Sequence, residues 1–413
     1  MKKILLFLLT IGTSSIASAQ LQVNTLNITT NDLVYDSQTN RIYVSIPSAN
    51  GSNGNSIGVI NPDTYTLENT IFIGSEPSIL AISDNGQYIY SGFSGSSTIR
   101  RFDVASQTAG LQFNLGNDYY TGALYAEDIE VMPGHPTTIA VSRKNNGFSP
   151  RHEGVAIYDN GIMRPTTTTN HTGSNKIEFT SQNSLIGYNN ESTEFGIRRL
   201  SVNNSGVNNV SVTQNILTNF GLDFIYRDNY IYSTDGKVVD VTTSPFVIGQ
   251  FTNTNGPVVY DEYFNRVCFA SYDYSGNIIF KRFNPNTFLL YDSLPISQAY
   301  GTAIKMTTCG NGCYAFNTTD DKVVIIKDRN LGIADLEDKN NISVYPNPTT
   351  DYLYVKNGIN IKTVQISDIN GKIINNIKPL NNKIDLTSLS KGVYMIKLID
   401  NKGEIFTKKV IKK

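Results

Sequence analysis

Apolar and polar residues alternate along most of the chain in short runs, with Asn, Asp and Gly between the runs. From Leu33 the chain reads LVYD, the turn SQTN, RIYVSIP, a loop, SIGVINPD, a short turn and LENTIFIG. From Ser78 it reads SILAIS, the turn DNG, QYIYSGF, a short loop, TIRRFDV, a turn and GLQFNLG. A period of two predicts β-strands, and the polar residues between the runs predict tight turns. Each unit is therefore expected to form four short antiparallel strands.

The four-strand unit recurs at intervals of about 40 to 45 residues, which is the spacing of blades in a β-propeller. Weaker copies follow at residues 128–171, 175–216, 221–251, 257–296 and 302–328. The last copy has only three strands, and the strand at residues 21–28 has no unit of its own, so we expect it to complete the last blade. We predict an all-β fold, with a seven-bladed β-propeller over residues 21–329. Six or eight blades are alternatives, because the middle copies are diverged and the fifth is short.

The alternating segments become shorter near the C-terminus and are separated by Asn-Pro, Asn-Gly and Lys-Gly turns. They occupy residues 342–345, 352–356, 363–368, 372–377, 383–386, 393–399 and 404–411. Seven short strands in about 70 residues predict a small immunoglobulin-like β-sandwich over residues 342–413. The polar and acidic residues 330–341 are expected to form a linker.

Residues 1–20 have the features of a cleaved signal peptide: a basic start at Lys2 and Lys3, an apolar run, and a small-residue exit at residues 17–19. The apolar run is too short to cross a bilayer, and no later stretch approaches the roughly 18 apolar residues that a spanning helix needs. We therefore expect export and no transmembrane segment.

Charge is unevenly divided between the body and the tail. Residues 21–340 hold 20 Lys plus Arg and 30 Asp plus Glu, a balance of 20 − 30 = −10, whereas residues 341–413 hold 12 Lys and 5 acids, a balance of 12 − 5 = +7. An acidic body argues against a nucleic-acid partner, because binding to phosphates needs a basic surface. The lysines of the tail alternate with apolar residues, which favours a solvated sheet face over a binding patch.

The longest predicted loops share one face of the propeller. They lie at residues 48–56, 116–127, 143–153 and 189–196, whereas the turns assigned to the other face are short. Ligands usually bind where a rigid scaffold displays long loops. We therefore expect a ligand, either a glycan or a protein, on this face.

Two of these loops, neighbours in the predicted fold, combine aromatic and charged residues. Aromatic faces beside charged groups suit a sugar, whose ring stacks while its hydroxyls form hydrogen bonds. The alternative is that these are ordinary loop residues that pack on one another and meet water. The candidate binding residues are Asp118, Tyr119, Tyr120, Tyr125, Arg143, Arg151, His152 and Glu153.

Signals of catalysis are few. The catalytic candidates are Asp128 and Glu130, which would lie on the same side of an innermost strand near the central channel. They could act as acid and base on a glycan, or bind a cation. The alternative is that they are hydrated channel residues. His152 is expected at the surface, and no histidine has the H-x-x-x-H spacing of a zinc site. We therefore predict no metal site and no cofactor.

The cysteines are expected to fall into two classes. Cys309 and Cys313 flank a Gly-Asn-Gly turn, and export would place them in an oxidising compartment, so a disulfide between them is one alternative and free thiols are the other. Cys268 lies in an alternating strand and is expected to be a buried free thiol.

The C-terminal segments ISVYPNPTTDYLYV, ISDINGKII, LTSLSKGVYMIKLID and EIFTKKVIKK resemble, in this order, the type A sorting domain of the type IX secretion system of Bacteroidetes. The resemblance implies recognition by an outer-membrane translocon and removal by a sortase-like protease that can attach the cargo to surface lipopolysaccharide. The positions that match the family pattern are Tyr345, Pro346, Asn347, Pro348, Asp351, Asp368, Gly371, Gly392, Tyr394 and Lys409.

The first two repeats also resemble the YVTN-type family of bacterial propellers, through the rhythm INPDTYTLENTIFIGSEPSILAISDNGQYIYSGF. Together these features predict a secreted or surface-displayed propeller that binds a glycan or a protein. The alternative is a glycan-active hydrolase or lyase that uses carboxylates of the propeller.

Overall fold

The computed structural model describes residues 20–329, 344–355, 361–368, 372–377, 379, 383–401 and 405–413. The chain divides into two compact units, Met1–Asn330 and Leu331–Lys413. The predicted signal peptide up to residue 19, the predicted linker at residues 330–341 and Gly371 lie outside the described residues. The all-β fold is confirmed, and among the described residues no helix has the length and apolar character needed to cross a bilayer.

The first unit contains seven four-stranded antiparallel sheets in residues 20–329. After the first strand, β1 Gln20–Asn27, three sheets follow in chain order. Sheet 1 consists of β2 Leu33–Asp36, β3 Arg41–Ile46, β4 Ser56–Asn61 and β5 Thr66–Phe72. Sheet 2 consists of β6 Pro77–Ile82, β7 Tyr88–Phe93, β8 Thr98–Asp103 and β9 Thr108–Asn114. A hairpin of β10 Asn117–Asp118 and β11 Gly122–Ala123 precedes sheet 3, which consists of β12 Tyr125–Val131, β13 Thr138–Lys144, β14 His152–Asp159 and β15 Ile162–Met163.

The remaining sheets repeat this order. Sheet 4 consists of β16 Lys176–Ser181, β17 Ser184–Tyr188, β18 Ile197–Asn203 and β19 Gly206–Thr213. Sheet 5 consists of β20 Phe224–Arg227, β21 Tyr230–Ser233, β22 Lys237–Asp240 and β23 Phe246–Gln250. Sheet 6 consists of β24 Val258–Asp261, β25 Arg266–Tyr272, β26 Asn277–Phe283 and β27 Leu290–Tyr300. Sheet 7 consists of β28 Ala303–Thr308, β29 Cys313–Thr318, β30 Lys322–Arg329 and β1.

The N-terminal strand completes the last sheet. β1 pairs antiparallel with β30, from Gln20 opposite Arg329 to Asn27 opposite Lys322. The first strand of each sheet also contacts the first strand of the next, and β28 contacts β2, so that these strands form a closed ring. Closure covers the apolar faces of sheets 1 and 7, which an open row of sheets would leave exposed to water. The first strands therefore surround a central channel.

The middle strands are buried on both sides, because each sheet of the ring packs between two others. In β3, the consecutive residues Ile42, Tyr43 and Val44 are all fully buried. The Tyr43 ring lies 5.9 Å from the ring of Phe102 in sheet 2. Burial of one such side chain contributes about 1.5 to 3 kcal/mol. This packing explains why the middle strands have continuous apolar runs.

The alternation of strand direction places the long loops together. The connection between the second and third strand of a sheet leaves on the same side as the connection to the next sheet. A 3-10 helix, Ser48–Asn53, forms the first of these loops. The others include residues 115–124, 145–151 and 189–196. We call this side the long-loop face.

The second unit has two sheets over one core. One sheet contains β31 Val344–Tyr345, β32 Tyr352–Val355 and β35 Lys383–Asp385. The other contains β33 Ile361–Asp368, β34 Ile373–Ile377, β36 Gly392–Asp400 and β37 Ile405–Lys412. Leu353 and Ile384 of the first sheet share a core with Val364, Ile366 and Ile396 of the second. An immunoglobulin-like topology stays a prediction.

Candidate functional site

Two loops of the long-loop face touch each other. The hydroxyl of Thr121, in the loop before β12, donates to Oε1 of Glu153 at 2.9 Å. The side-chain amide of Asn145, in the loop before β14, donates to the same oxygen at 2.9 Å. Glu153 is itself buried. The Glu153 carboxylate therefore links the loop before β12 to the loop before β14.

The first loop displays two tyrosine rings. Tyr119 and Tyr120 are 92% and 82% exposed, and their ring centroids lie 4.9 Å apart in an edge-to-face arrangement. Oδ1 of Asp118 accepts hydrogen bonds from the backbone N–H groups of Tyr120 at 2.8 Å and Thr121 at 2.9 Å. The hydrogen bonds from the backbone N–H groups of Thr121 and Tyr120 lower the pKa of Asp118. Asp118 thus fixes the turn that carries the rings.

The second loop contributes a guanidinium group held by a third loop. Nε of Arg151 donates to Oε1 of Glu191 at 2.6 Å, and the Arg151 backbone N–H donates to the other carboxylate oxygen at 3.2 Å. The side chain of Arg151 is 43% exposed. Sequence reasoning missed Glu191, although its place in the loop at residues 189–196 was a usable signal. Arg151 therefore has a fixed position on the surface.

Three other candidates point inward. His152, Arg143 and Glu153 are buried, so the expected surface position of His152 is wrong. Its ring fills the space above Gly173, where a Cβ atom would lie 2.1 Å from the imidazole. The physical reason is that His152 begins β14, which is buried along almost its whole length. Tyr125, at the start of β12, is half-buried.

His152 is held in its neutral form. Burial, together with the guanidinium groups of Arg198 and Arg143, lowers the pKa of His152 to about 3. Neither ring nitrogen has a hydrogen-bond partner among the described residues. An imidazole of this kind cannot serve as a general base for a ligand at the surface.

Acidic and basic side chains from five sheets meet in the central channel. Asp128 and Glu130 of β12 line two cavities, with volumes of about 110 and 240 Å³, together with Lys305 of β28. Sequence reasoning missed the other charged residues there. Each lies on the first strand of a sheet or directly before it, and this position in the repeat could have identified them as channel residues. They are Asp32, Glu178, Asp223 and Lys305.

Two of these aspartates hold neighbouring sheets together. Asp32 accepts from the N–H of Leu33 at 2.7 Å and from the N–H of Leu80, in the next sheet, at 2.9 Å. Asp128 accepts from the N–H of Ile177, also in the next sheet, at 2.9 Å. These bonds satisfy buried backbone donors. Asp128 therefore has a structural role, whatever else it does.

The remaining channel carboxyls fall into two groups. Burial opposes ionisation of Asp223, but Lys305, which donates to it, and Lys176, 3.8 Å away, outweigh this effect and lower its pKa. Burial raises the pKa of Glu130, and the neighbouring charges of Glu178 and Asp128 raise it further. Burial and nearby carboxylates likewise raise the pKa of Glu178. The channel thus combines a carboxyl whose pKa is lowered with carboxyls whose pKa values are raised.

Neither the channel nor the loops offer a metal site: no group of three or more His, Cys, Asp or Glu in the described part of the chain is arranged to hold a metal ion.

Cys309 and Cys313 form a disulfide at the turn between β28 and β29, with their Cα atoms 4.8 Å apart. Cys268 is a buried free thiol, and burial raises its pKa.

Two residues of the sorting pattern, Asn347 and Lys409, are neighbours in the second unit. The Tyr345 and Tyr354 rings lie 5.9 Å apart. The side chain of Asn347 donates to the Lys409 carbonyl at 2.8 Å and accepts from the Ile411 N–H at 2.9 Å. These bonds join the first motif to the last strand. Four further positions of the pattern form local contacts or begin a strand. Oδ1 of Asp368 accepts from the Lys372 N–H, and the Asp351 carbonyl accepts from the Leu386 N–H. The Tyr394 hydroxyl donates to the Ser390 carbonyl, and Gly392 begins β36.

The comparisons with known proteins match each unit separately. The secretion system C-terminal sorting domain matches residues 343–413. No curated protein matches the chain. The Cps50 (Swd1) β-propeller domain of Myceliophteria thermophila is similar with a TM-score of 0.58 at 8% identity, covering 75% of this chain and 99% of its own. Hydrazine synthase of Kuenenia stuttgartiensis is similar with a TM-score of 0.55 at 12% identity, covering 72% of this chain and 95% of its own.

At such identities the likeness concerns the fold alone. It confirms the β-propeller, while the YVTN-like character of the first two repeats stays a prediction. The match at the C-terminus confirms the resemblance of the tail to the type IX sorting domain. The chain therefore carries, after a β-propeller body, a type IX secretion sorting domain, which directs proteins to the cell surface.

Proposed function

We propose that the propeller is a binding module for a glycan, displayed at the cell surface or released from it, and that its site is the loop pair around Tyr119 and Tyr120. The observation that supports this most is the exposure of both rings, at 92% and 82%, on a turn fixed by Asp118. Large exposed rings keep apolar surface in contact with water, and a ligand that covers them removes this surface from water. Their position is set before the ligand arrives, which reduces the entropy cost of binding.

The neighbouring polar groups suit a sugar. Arg151 presents a partly exposed guanidinium whose orientation Glu191 fixes. Sugar C–H faces stack on aromatic rings, and directional donors bind the hydroxyls. A protein ligand is the second possible occupant of the same surface.

The proposed route rests on the sorting domain. We infer that residues 1–20 are removed at the inner membrane, that residues 342–413 are recognised at the outer membrane, and that cleavage falls within residues 330–341. The cargo would then be released or attached to lipopolysaccharide.

The binding proposal is tested with the exported chain from Leu21 on a glycan array, followed by titration of each hit. Replacing Tyr119 and Tyr120 together by Ala is expected to raise the dissociation constant at least about tenfold, a loss of about 1.4 kcal/mol of binding free energy. Phe72→Ala, which removes a ring that is 62% exposed on β5, is the matched control. Equal loss in the control, or no loss in the double variant, would reject this site.

The channel supports a second candidate, a hydrolase or lyase that acts on a glycan. Carboxyls whose pKa values are shifted in opposite directions are the usual arrangement of a general acid beside an ionised partner. Either Glu130 or Glu178 would donate one proton to the leaving group, while Asp223 stays ionised. Glu130→Gln and Glu178→Gln would each lower the rate of product formation by about 10² to 10⁴-fold. Glu68→Gln, on β5, is the control, and absence of products from the unaltered chain would reject catalysis.

A further inference from the structure

A second opening on the long-loop face lies between sheets 5 and 6, far along the ring from the Tyr119 loop. One wall is the connection Asn253 to Asn255, and the other is formed by Tyr272, Tyr274 and Lys281. Its volume is about 610 Å³, within the range of about 300 to 1,000 Å³ typical of ligand pockets. The groove can therefore hold a sugar residue.

The walls are fixed by hydrogen bonds between them. The Asn255 amide donates to the Tyr272 carbonyl at 2.9 Å, and its oxygen accepts from the Tyr272 N–H at 2.9 Å. The hydroxyls of Thr254 and Ser271 lie 2.6 Å apart. Because the connection is joined to the end of β25 in this way, the groove keeps its shape without a ligand.

Lys281 is the exception among the lysines of residues 20–329. Its ammonium donates to the carbonyl of Asn253 but forms no ion pair with a carboxylate of these residues. Burial lowers the pKa of Lys281, and no neighbouring charge offsets that effect. Every other lysine in this range pairs with an acidic side chain: Lys144, Lys176, Lys237, Lys305, Lys322 and Lys327.

The other groups at the groove complete a site for a ring with an acidic substituent. The Tyr274 ring is fully exposed beside the groove, and within the described residues its hydroxyl has no hydrogen bond. The only carboxylate on the walls, Asp273, already accepts from the N–H groups of Ser275 and Asn277, each at 2.9 Å. A side-chain hydrogen bond from Asn277 also lowers its pKa. These hydrogen bonds hold the Asp273 carboxylate in its own turn.

We propose that this groove binds an anionic sugar residue, whose acidic group pairs with Lys281 while its ring stacks on Tyr274. This inference rests on the proposed glycan-binding function but concerns a separate site. Carboxylate and sulfate groups share the charge that a lysine recognises. Two sources of the ligand, uronic-acid polymers and sulfated polymers, are therefore compared in the test.

The experiment titrates the exported chain with three oligosaccharides of equal length: oligogalacturonate, a sulfated galactan and a neutral galactan. At least one anionic probe is expected to bind, with an affinity that falls as the salt concentration rises. Lys281→Gln is expected to weaken the binding of that probe about tenfold or more. Tyr274→Ala should weaken it as well. Lys237→Gln, with the same charge change on β22, and Tyr263→Ala, which removes a half-exposed ring, are the matched controls.

The outcomes separate this site from the Tyr119 loop. Loss of anionic binding in Lys281→Gln but not in the Tyr119 and Tyr120 double variant supports the groove by itself. Loss only in the double variant rejects the groove and leaves the proposed function standing. Equal binding of the neutral probe, or equal loss in Lys237→Gln, also rejects the groove.

Discussion

His152 is a titratable group that the fold keeps neutral. Its pKa of about 3 in the folded protein lies below the usual value of about 6.5 in an unfolded chain, so the unfolded state binds more protons between these values. Stability contributed by the neutral ring is complete above pH about 6.5 and is lost as the pH falls towards 3. The slope is at most about 1.4 kcal/mol per pH unit.

His152→Phe is expected to remove this slope. An aromatic ring is retained, and no hydrogen bond is lost, because both ring nitrogens lack partners among the described residues. Urea unfolding at pH 4, 5 and 7 should show a variant that is no less stable than the unaltered chain at pH 7 and clearly more stable at pH 4. His171→Phe, at an exposed position, is the control. An unchanged difference between pH 4 and pH 7 would contradict the buried position of His152.

Glu130 and Glu178 titrate in the opposite sense. Their raised pKa values mean that the folded protein holds protons more tightly than the unfolded chain, so their unfavourable contribution appears as the pH rises. The same Gln variants that test catalysis are therefore expected to increase stability at pH 8 more than at pH 5, measured by urea unfolding. A gain that is equal at both values would show that the carboxyls are not enclosed as described.

At the scale of elements, β1 decides whether the ring closes. It belongs to sheet 7 although β30, its partner, lies about 300 residues later in the chain. Val23, opposite Ile326, packs against the core between sheets 6 and 7. The last sheet cannot be completed before the whole propeller has been made, because its fourth strand comes from the other end. Long-range pairing of this kind folds slowly.

Val23→Asp is expected to destabilise the propeller by about 2 to 4 kcal/mol, because it places an unpaired carboxylate against an apolar core. Asn27→Asp adds the same charge to the exposed end of the same strand and should cost less than about 0.5 kcal/mol. Chemical unfolding followed by circular dichroism measures both. Similar values for the two variants would mean that β1 does not close the ring in solution.

At the scale of the whole molecule, the two units have separate tasks. Deleting residues 342–413 is expected to leave folded propeller in the periplasm, because the sorting domain is the element that the secretion route recognises. Protease treatment of intact cells measures surface delivery, and thermal unfolding of the truncated chain, expected to match the propeller transition of the full chain, is the control for folding. Surface delivery of the truncated chain would show that the signal lies elsewhere.

Local patterns were sufficient for much of this architecture. The strands, their turns and the sorting tail follow from residues close together in the chain, since strand alternation and turn chemistry act over a few positions. The completion of the last sheet by residues 21–28 followed from counting strands along the whole body, because the last repeat has only three. The sequence also indicated that Asp128 and Glu130 line the channel. It could not indicate that Asp128 bonds to Ile177, because that contact depends on how two sheets meet.

The sequence by itself determined the class of fold, the two-part organisation and the C-terminal sorting domain. Only the tertiary structure decided that His152 is buried, that Glu191 holds Arg151, and that Asp32, Glu178, Asp223 and Lys305 share one channel. Within residues 20–329, it likewise left Lys281 without an acidic partner at the edge of a groove. The physical reason is that burial and charge pairing depend on residues brought together from different sheets, and no local pattern records those distances.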